Sequence, residues 1–577
     1  MTPVGLQRQR FNRPTDRLLA AVLGVLLLAL MFVPARDPLT HSLTIEWHPS
    51  AELVFFLFVV AVATVARPQI VAARSTARVL AVLVVAMALL NLVDAATPTL
   101  LGRDLNLYWD LAHLPSLFGL AGAASGSWRM AGAIGVFAGA IFLLIAGTAW
   151  IWRQVLSVLA DRRIALAFAV LLGVVLDVTA FMPAEERPLA TGLGLDIIRQ
   201  SVAFVRGWRA PSGNGEPYAA ALAAPAPPHS DLAGLKGRDV YLIYLESYGT
   251  TVFDTPEFRA GLSEALSQFE TSLRGAGYTI ASNRLVSPTF GGGSWLAHAT
   301  LASGVRLDDP VLYTLLLDSG RKLLPAYFKE AGWRTIDIAP GIKTPSARAT
   351  VAWGFDREIF ASELDYKGPS FGWFAIPDQF TLDRAATIRS ALGPALPVFT
   401  QLVLVSSHIP FAPVPPYLAD WGDSGTFASV PATVMEEVRR QPDWTRLAPD
   451  YLNSLRYDFA VLAGWLTHRI GGDGLVILLG DHQPPAVVGG QPQPPWTVPI
   501  HVLSRDPELI TPFVAEGYVS GPFRPRHRRT RAWRHFSRAS WLRSTGRVDV
   551  QSPRTHPPRS SSSVAARRAR SAPRDSR

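Results

Sequence analysis

The sequence predicts an α-helical membrane domain of five transmembrane helices, followed by an α/β domain whose mainly parallel sheet is covered by helices. Three observations predict it. Five apolar stretches lie between Leu18 and Met182, and from Asp239 onward short β-branched runs alternate with helical stretches. The composition agrees: 49% of the 577 residues are hydrophobic and 17% charged, and mean hydropathy is +0.20, which argues against a purely soluble protein.

The apolar stretches are 18-35, 53-66, 79-97, 130-152 and 164-182, several of them near the ~20 residues that span a bilayer. The second is short, bounded by Glu52 and Arg67, and also reads as a re-entrant or buried segment. A cleaved signal peptide is a poor reading of the first, because four more stretches follow it.

Lys and Arg in the short connections set the orientation. Arg8, Arg10, Arg13, Arg17, Arg67, Arg74, Arg78, Arg153, Arg162 and Arg163 fall on one side, against Arg36, Arg103 and Arg129 on the other. Ten against three puts the N-terminus in the cytoplasm. Five crossings then deliver everything after Met182 to the extracytoplasmic, periplasmic face of the inner cell membrane. The connection from Arg103 to Asp110 mixes charge with Tyr108 and Trp109 and reads as an interfacial anchor, or as a surface that packs on the second domain or guides a lipid headgroup.

Four regions result: a transmembrane domain over 1-182, a linker over 183-237, an α/β domain over 238-520 and an Arg/Ser/Pro-rich tail over 521-577. The linker loses periodicity in the Ala- and Pro-rich run from Ala220 to Pro228. The formal charge of +10 sits in the tail, where 16 Arg face Asp549 and Asp575 for a net +14, leaving −4 for residues 1 to 520. Nucleic-acid binding by this tail is incompatible with the predicted topology, which places the tail outside the cytoplasm, so no nucleic-acid partner is expected. The tail cannot bury enough to fold. It reads either as a basic arm for anionic lipids or as an out-of-frame end of an Arg-rich coding sequence.

Within the α/β region the expected strands are 239-245, 334-338, 398-405, 474-479 and 499-503, and the expected helices 257-274, 295-303, 321-331 and 449-469. In the last helix Tyr451, Leu455, Phe459, Leu462 and Leu466 are spaced for one buried face. No internal repeat is evident.

Cysteine is absent, which excludes thiol nucleophiles, Cys-ligated metal and disulfides. Chemistry falls to other groups. Glu246 follows the strand run VYLIYL, and Asp481 with His482 follows GLVILLG. Ligands of open α/β sheets bind beyond the carboxyl ends of strands, where residues distant in sequence converge. Carboxylate and imidazole together suit manganese or zinc, magnesium being less favoured by the nitrogen. Each residue alone also reads as an ordinary strand-end polar group. Phe290-Gly291-Gly292-Gly293-Ser294 places a serine where a helix begins, and a helix N-terminus favours an anion such as a phosphoryl group. A cation touching the Ser294 hydroxyl would make it nucleophilic without a histidine base. The competing reading is a plain N-cap, stabilising by about 1 kcal/mol.

The order Glu246-Ser247, Gly293-Ser294, Ser407-His408-Ile409-Pro410-Phe411 and Gly480-Asp481-His482 resembles the alkaline phosphatase superfamily. The nearest likeness is its sulfatase-like membrane branch of lipoteichoic acid synthases, phosphoglycerol transferases and phosphoethanolamine transferases. The resemblance runs from about Asp239 to Ser504, and five preceding helices also suit that branch. It implies one divalent metal ion, Mn2+ ahead of Zn2+ or Mg2+, held by Glu246, Ser294, Asp481 and His482. It also implies Ser294 as nucleophile and His408 as a residue that binds substrate phosphate, with a buried structural histidine as the other reading. The nucleophile in that branch is usually threonine, so Thr289 is the fallback. The branch's Trp/Arg phosphate-binding segment has no clean counterpart; Lys343, Arg348 and Trp353 lie in the right region, and Lys343 and Arg348 are the substrate-binding candidates.

The resemblance implies a membrane-anchored transferase moving phosphoglycerol or phosphoethanolamine from a phospholipid donor to an extracytoplasmic glycan or lipid through a covalent serine intermediate. The alternatives are a phosphodiesterase or sulfuric-ester hydrolase of the same superfamily, or a catalytically inactive envelope-binding protein. The Trp-Leu-Ala-His after Ser294 lacks the Cys/Ser-x-Pro-x-Arg context of formylglycine sulfatases, which disfavours sulfate-ester hydrolysis. Too few further Asp and His candidates are present for a two-metal cluster.

Overall fold

The computed structural model describes residues 14–36, 43–45, 50–71, 74–101, 105, 110, 127–182, 220–226, 230–438, 443–444, 446–489, 495–521, 523 and 531–532. Most of the Arg103 to Asp110 connection, the linker before Ala220, the first N-terminal arginines and the tail beyond Ala532 lie outside the described residues.

Five long helices cover the five apolar stretches: α1 (Pro14–Leu30), α2 (Ala51–Ala66), α3 (Arg74–Leu101), α4 (Ser127–Leu159) and α5 (Arg162–Phe181). Asp161 caps α5 by accepting the N–H groups of Arg163 and Ile164, and Ser50 accepts from Leu53 at the start of α2. The helices share a core around Leu57, Val84 and Trp152, with Phe56 edge-on to Trp152. Among the described residues, two spans are long and apolar enough to cross a membrane, Ser75–Thr97 and Ala131–Leu159; Ala51–Ala66 is apolar but shorter.

The α/β part is built on a nine-stranded sheet. Its strands are β1 (Val240–Leu245), β2 (Thr279–Val286), β3 (Arg334–Ala339), β4 (Arg357–Phe360), β5 (Val398–Leu404), β6 (Leu475–Gly480), β7 (Thr497–Ser504), β8 (Val519–Ser520) and β9 (Arg531–Ala532). The order is β8-β2-β7-β6-β1-β5-β3-β4, with β9 beside β2. From β6 to β4 all pairs are parallel, whereas β7 runs antiparallel to both β6 and β2. The expected mainly parallel sheet is therefore observed, with an antiparallel flank. β2, β4, β8 and β9 were not anticipated: β2 carries Ser282, Asn283 and Arg284, whose polar character breaks the apolar signature, although all three are buried.

Every residue of β1 is buried, which explains its unbroken apolar run, since a parallel interior strand is covered on both faces. Alternate side chains serve two cores. Tyr241, Ile243 and Leu245 pack toward α6 (Pro256–Gly275) and its Leu262, Leu266 and Phe269. Val240, Leu242 and Tyr244 pack toward α7 (Ser294–Ser303) and its Leu296, Ala299 and Leu301. Each such buried aliphatic or aromatic side chain contributes roughly 1.5–3 kcal/mol. Two further helices matter for the site, α8 (Asp378–Ala391) and α9 (Leu447–Gly464). The expected helix over 449-469 is seen as α9 continued by one wider turn over Trp465–Arg469.

The folded α/β unit reaches toward the N-terminus of β1, since Leu232 and Leu235 are buried and Arg321 donates to the carbonyls of Leu222 and Ala224. At the other end Phe523 is buried and stacks on His501 at 3.6 Å. The short helix Ala486–Gly489, which follows the site residues in sequence, packs beside α3.

Candidate active site

Strand register brings the first acidic pair together. Leu245 of β1 lies opposite Gly480 of β6, so the residues that follow, Glu246 and Asp481, leave the sheet side by side and on the face that carries α7. Only glycine fits at 480, because a Cβ there would lie 1.8 Å from the Tyr248 carbonyl oxygen. Ser247, with φ 57°, turns the chain so that its N–H donates to Asp481 Oδ1 at 2.9 Å. The His482 N–H donates to the same oxygen at 2.7 Å.

The glycine run supplies the third side. Gly292 and Gly293 have φ of 147° and 79°, conformations that L side chains rarely adopt, and Gly293 ends the loop as α7 begins. Ser294 is the first helical residue and does not cap the helix. Its Oγ donates to Glu246 Oε2 at 3.0 Å and lies 3.2 Å from His482 Nε2. His482 Nε2 is also 3.2 Å from Glu246 Oε1. On the far side of that ring Nδ1 is 2.8 Å from the Gln483 carbonyl, which fixes the tautomer and leaves Nε2 to face the cluster. Glu246 is tied at its backbone as well, where Ser407 Oγ donates to its carbonyl at 2.7 Å.

Glu246, Asp481 and His482 are all buried, and one ligand atom from each lies within 4.8 Å of the others. Asp481 Oδ2 is buried and has no hydrogen-bond partner among the described residues. Two carboxylates and an imidazole, one oxygen of them unsatisfied, fit a divalent cation. The electrostatics agree. Burial pushes Glu246 up, but the charge and hydrogen bond of His482, the charge of His408 and the hydrogen bond with Asp481 together overcome it and hold the carboxyl below its ordinary range. Burial and then the Glu246 charge push Asp481 up to about 7. Burial lowers His482, but Asp481 and Glu246 overcome it and carry the imidazole to about 9. Protons therefore occupy the cluster where a cation would otherwise balance its charge.

His408 is close enough to Glu246 and His482 to feel both charges, and burial lowers its pKa. Its Nδ1 is 2.6 Å from the Ile409 carbonyl. Phe374 meets the ring edge-on at 4.8 Å, and Trp373 lies at 5.8 Å with a 33° tilt. The sequence reading missed these two aromatics, which stand in an aperiodic Phe-Gly-Trp-Phe segment. His298, four residues after Ser294, was also unassigned. It is buried, its Nε2 has no partner among the described residues, and it lies against Tyr244 at 3.9 Å.

The remaining candidates fall elsewhere. Arg348 pairs with Asp318 and donates to the Thr314 carbonyl at 2.8 Å, outside the cluster. Lys343 is exposed on the loop before the helix Ala347–Trp353, and Trp353 stacks on Phe355. Thr289 Oγ1 is buried without a hydrogen-bond partner among the described residues, and it is Ser294 whose hydroxyl meets Glu246.

No protein-family model and no curated protein matches the chain. Solved structures of alkaline phosphatase superfamily members are similar to it. A protein of that superfamily from Vibrio parahaemolyticus shares 16% identity over 49% of this chain and 63% of its own, with a TM-score of 0.32. The Streptococcus pyogenes phosphoglycerol transferase GacH, in complex with sn-glycerol-1-phosphate, shares 13% over 56% of this chain and 78% of its own, at 0.35. The C-terminal periplasmic domain of EcEptC from Escherichia coli, in complex with Zn, shares 16% over 52% and 80%, at 0.33. The chain thus spans less than two thirds of the first of these proteins, and the chemistry rests on the residues of this site.

Proposed function

We propose that the chain is a membrane-anchored, metal-dependent transferase that carries a phosphorylated headgroup, phosphoglycerol or phosphoethanolamine, from a phospholipid to an extracytoplasmic glycan or lipid. The observation that carries this reading is the Ser294 hydroxyl, 3.0 Å from Glu246 and 3.2 Å from His482, at the start of a helix and beside the unsatisfied Asp481 Oδ2.

Glu246, Ser294, Asp481 and His482 would hold one cation, Mn2+ first and Zn2+ or Mg2+ as alternatives. When bound, such an ion draws charge from a phosphoryl oxygen and lowers the pKa of a coordinated hydroxyl. Ser294 Oγ attacks the donor phosphorus, forming the Oγ–P bond as the bond to the diacylglycerol oxygen breaks. The proton lost by Ser294 ends on that oxygen. An acceptor hydroxyl then attacks the same phosphorus, the Oγ–P bond breaks and Ser294 regains a proton from the acceptor. We assign to His408, whose Nδ1 is committed to Ile409, the holding of the substrate phosphate or the protonation of the leaving oxygen. The N-terminus of α7 favours the anionic phosphoryl group. Lys343 and Arg348 are not needed for these steps.

Membrane anchoring through five helices is part of the proposal. Leu19 and Leu26 of α1, Phe55 of α2, Phe137 and Phe142 of α4 and Val170 of α5 are all exposed, an apolar surface that calls for lipid. With the N-terminus cytoplasmic, the α/β part stands outside the inner membrane, where tethering raises the effective concentration of a lipid donor.

The test is turnover of a fluorescent phospholipid by purified full-length protein. Ser294→Ala and Glu246→Ala should each abolish it while the protein stays folded, and full activity of Ser294→Ala would remove the nucleophile. Product analysis separates the alternatives: headgroup found only free in water makes the protein a phosphodiesterase, and no bound metal with no turnover makes it an inactive binder.

A further inference from the structure

Behind the segment that carries His408 lie two carboxyl groups that the proposed chemistry does not use. Asp378 opens α8 and is fully buried. Its Oδ1 accepts the Val405 N–H at 2.8 Å and its Oδ2 the Ser406 N–H at 2.9 Å, while its own N–H donates to Ser406 Oγ at 3.2 Å. Asp458, on α9, is as deeply buried, and among the described residues neither of its oxygens has a hydrogen-bond donor. The groups that act most strongly on it are Asp378 and Ser407. Also facing the pair are Tyr457, whose hydroxyl accepts the Gln379 N–H at 3.2 Å, and Tyr451, whose hydroxyl donates to the Ser247 carbonyl at 2.9 Å. None of these groups is a cation. Two ionised carboxylates in such a setting repel strongly and lack compensation.

We propose that Asp378 and Asp458 share one proton, carried on Asp458 and donated to Asp378, and that this acid–carboxylate hydrogen bond fixes the Val405–His408 segment and with it the seat of the His408 imidazole. The asymmetry follows from the partners. Asp378 has two backbone donors and the first turn of a helix to stabilise its charge, and Asp458 has neither. Burial pushes both carboxyls above their ordinary range, and the Asp378 charge pushes Asp458 further. The bond joins α8 and α9 directly behind β5, and Ser407 then hands the position on to the Glu246 backbone. Asp458 is a positioning residue, acting on His408 only through the segment it braces.

A carboxyl whose folded pKa is raised contributes stability that is fully present below the ordinary value of about 4 and is lost as pH rises through the folded value. Thermal unfolding of the full-length protein in detergent, followed from acid to alkaline pH, tests the proton. The parent should lose stability as pH rises, and Asp458→Asn should lose less, because an amide donates to Asp378 without a titratable proton. Asp378→Asn, whose amide would face two backbone donors, should be destabilised throughout, as should Asp458→Ala. Parallel pH profiles for the parent and Asp458→Asn, or an Asp458→Asn protein as unstable as Asp458→Ala, overturns the shared proton.

The effect on His408 rests on the proposed transferase reading and has its own measurement. Turnover of the fluorescent phospholipid should fall by about tenfold or more in Asp458→Ala, mainly in kcat, and return to near the parent rate in Asp458→Asn. Unchanged turnover in Asp458→Ala overturns the positioning role. If the parent turns over no phospholipid, the transferase reading fails while the unfolding profiles still decide the proton.

Discussion

Ser294 Oγ and Glu246 Oε2 lie 3.0 Å apart, joining the first residue of a helix to the end of an interior strand across 48 positions of sequence. Substituting Ser294 by Ala removes the attacking oxygen and little packing. The expected loss in kcat/KM is about a thousandfold or more, with thermal stability within a few degrees of the parent. Ser294→Thr keeps a hydroxyl at that point and should retain measurable turnover. A Ser294→Ala protein within tenfold of the parent would rule the serine out.

Metal affinity should rise with pH. In the metal-free protein His482 is held protonated up to about 9 and Asp481 up to about 7, and a cation must expel those protons to bind. Titration calorimetry in two buffers of different protonation enthalpy should record proton release, with tighter Mn2+ or Zn2+ binding at pH 8 than at pH 6. Affinity independent of pH would contradict the ligand set. Saturation at about 100 times Kd should add about 2.7 kcal/mol of stability, and chelation should remove it together with turnover.

Gly480→Ala should be among the most damaging single substitutions in the α/β part. The new Cβ would lie 1.8 Å from the Tyr248 carbonyl oxygen, a backbone atom that cannot step aside without moving the Glu246–Ser247 turn. The expected cost is about 3 kcal/mol or more. Circular dichroism melts would measure it, and a protein with parental Tm and full metal affinity would show that the turn is more pliable than its packing indicates.

Asp337 offers a pH test remote from the metal ligands. It is buried on β3 with its Oδ1 accepting from Gln401 at 2.9 Å, and burial raises its pKa to about 7. Its stabilising contribution is present below about 4 and is lost as pH rises through about 7. Asp337→Asn escapes that loss, so its stability relative to the parent should improve from pH 5 to pH 8 by about 1–3 kcal/mol. A constant difference in Tm across that interval would show that the carboxyl is already ionised when folded.

His408 and Arg348 should respond very differently to alanine. His408 sits among the site charges, and its loss should lower kcat/KM by about a hundredfold or more. Arg348 is spent on Asp318 and Thr314, so Arg348→Ala should change kcat/KM less than about threefold. Parallel kinetics of the two proteins on one phospholipid would measure both, and a large effect of Arg348→Ala would mean that its ion pair opens for substrate.

The acidic cluster was legible in the sequence because its residues follow apolar strand runs, and position after a strand is a local property. Ser294 was legible because three glycines precede it. The pairing of Asp378 with Asp458 was not, since neither stands in a marked pattern and only the packing of α8 against α9 joins them. β2 was missed for a related reason: its buried Arg284 pairs with Asp254 at 2.6 Å, so a charged side chain is satisfied inside and hides the alternation that marks a strand. The helices over the apolar stretches were legible from hydropathy alone. Arg348 illustrates the converse, a residue of suitable chemistry and approximate position whose partner is the neighbouring helix.

The matched ends of β1 and β6 have a further consequence. Because side chains alternate from face to face, a shift of β1 by a single residue against β6 would turn Glu246 away from Asp481. An ion bridging the two would therefore reward one alignment of strands some 235 positions apart in sequence and none of its neighbours.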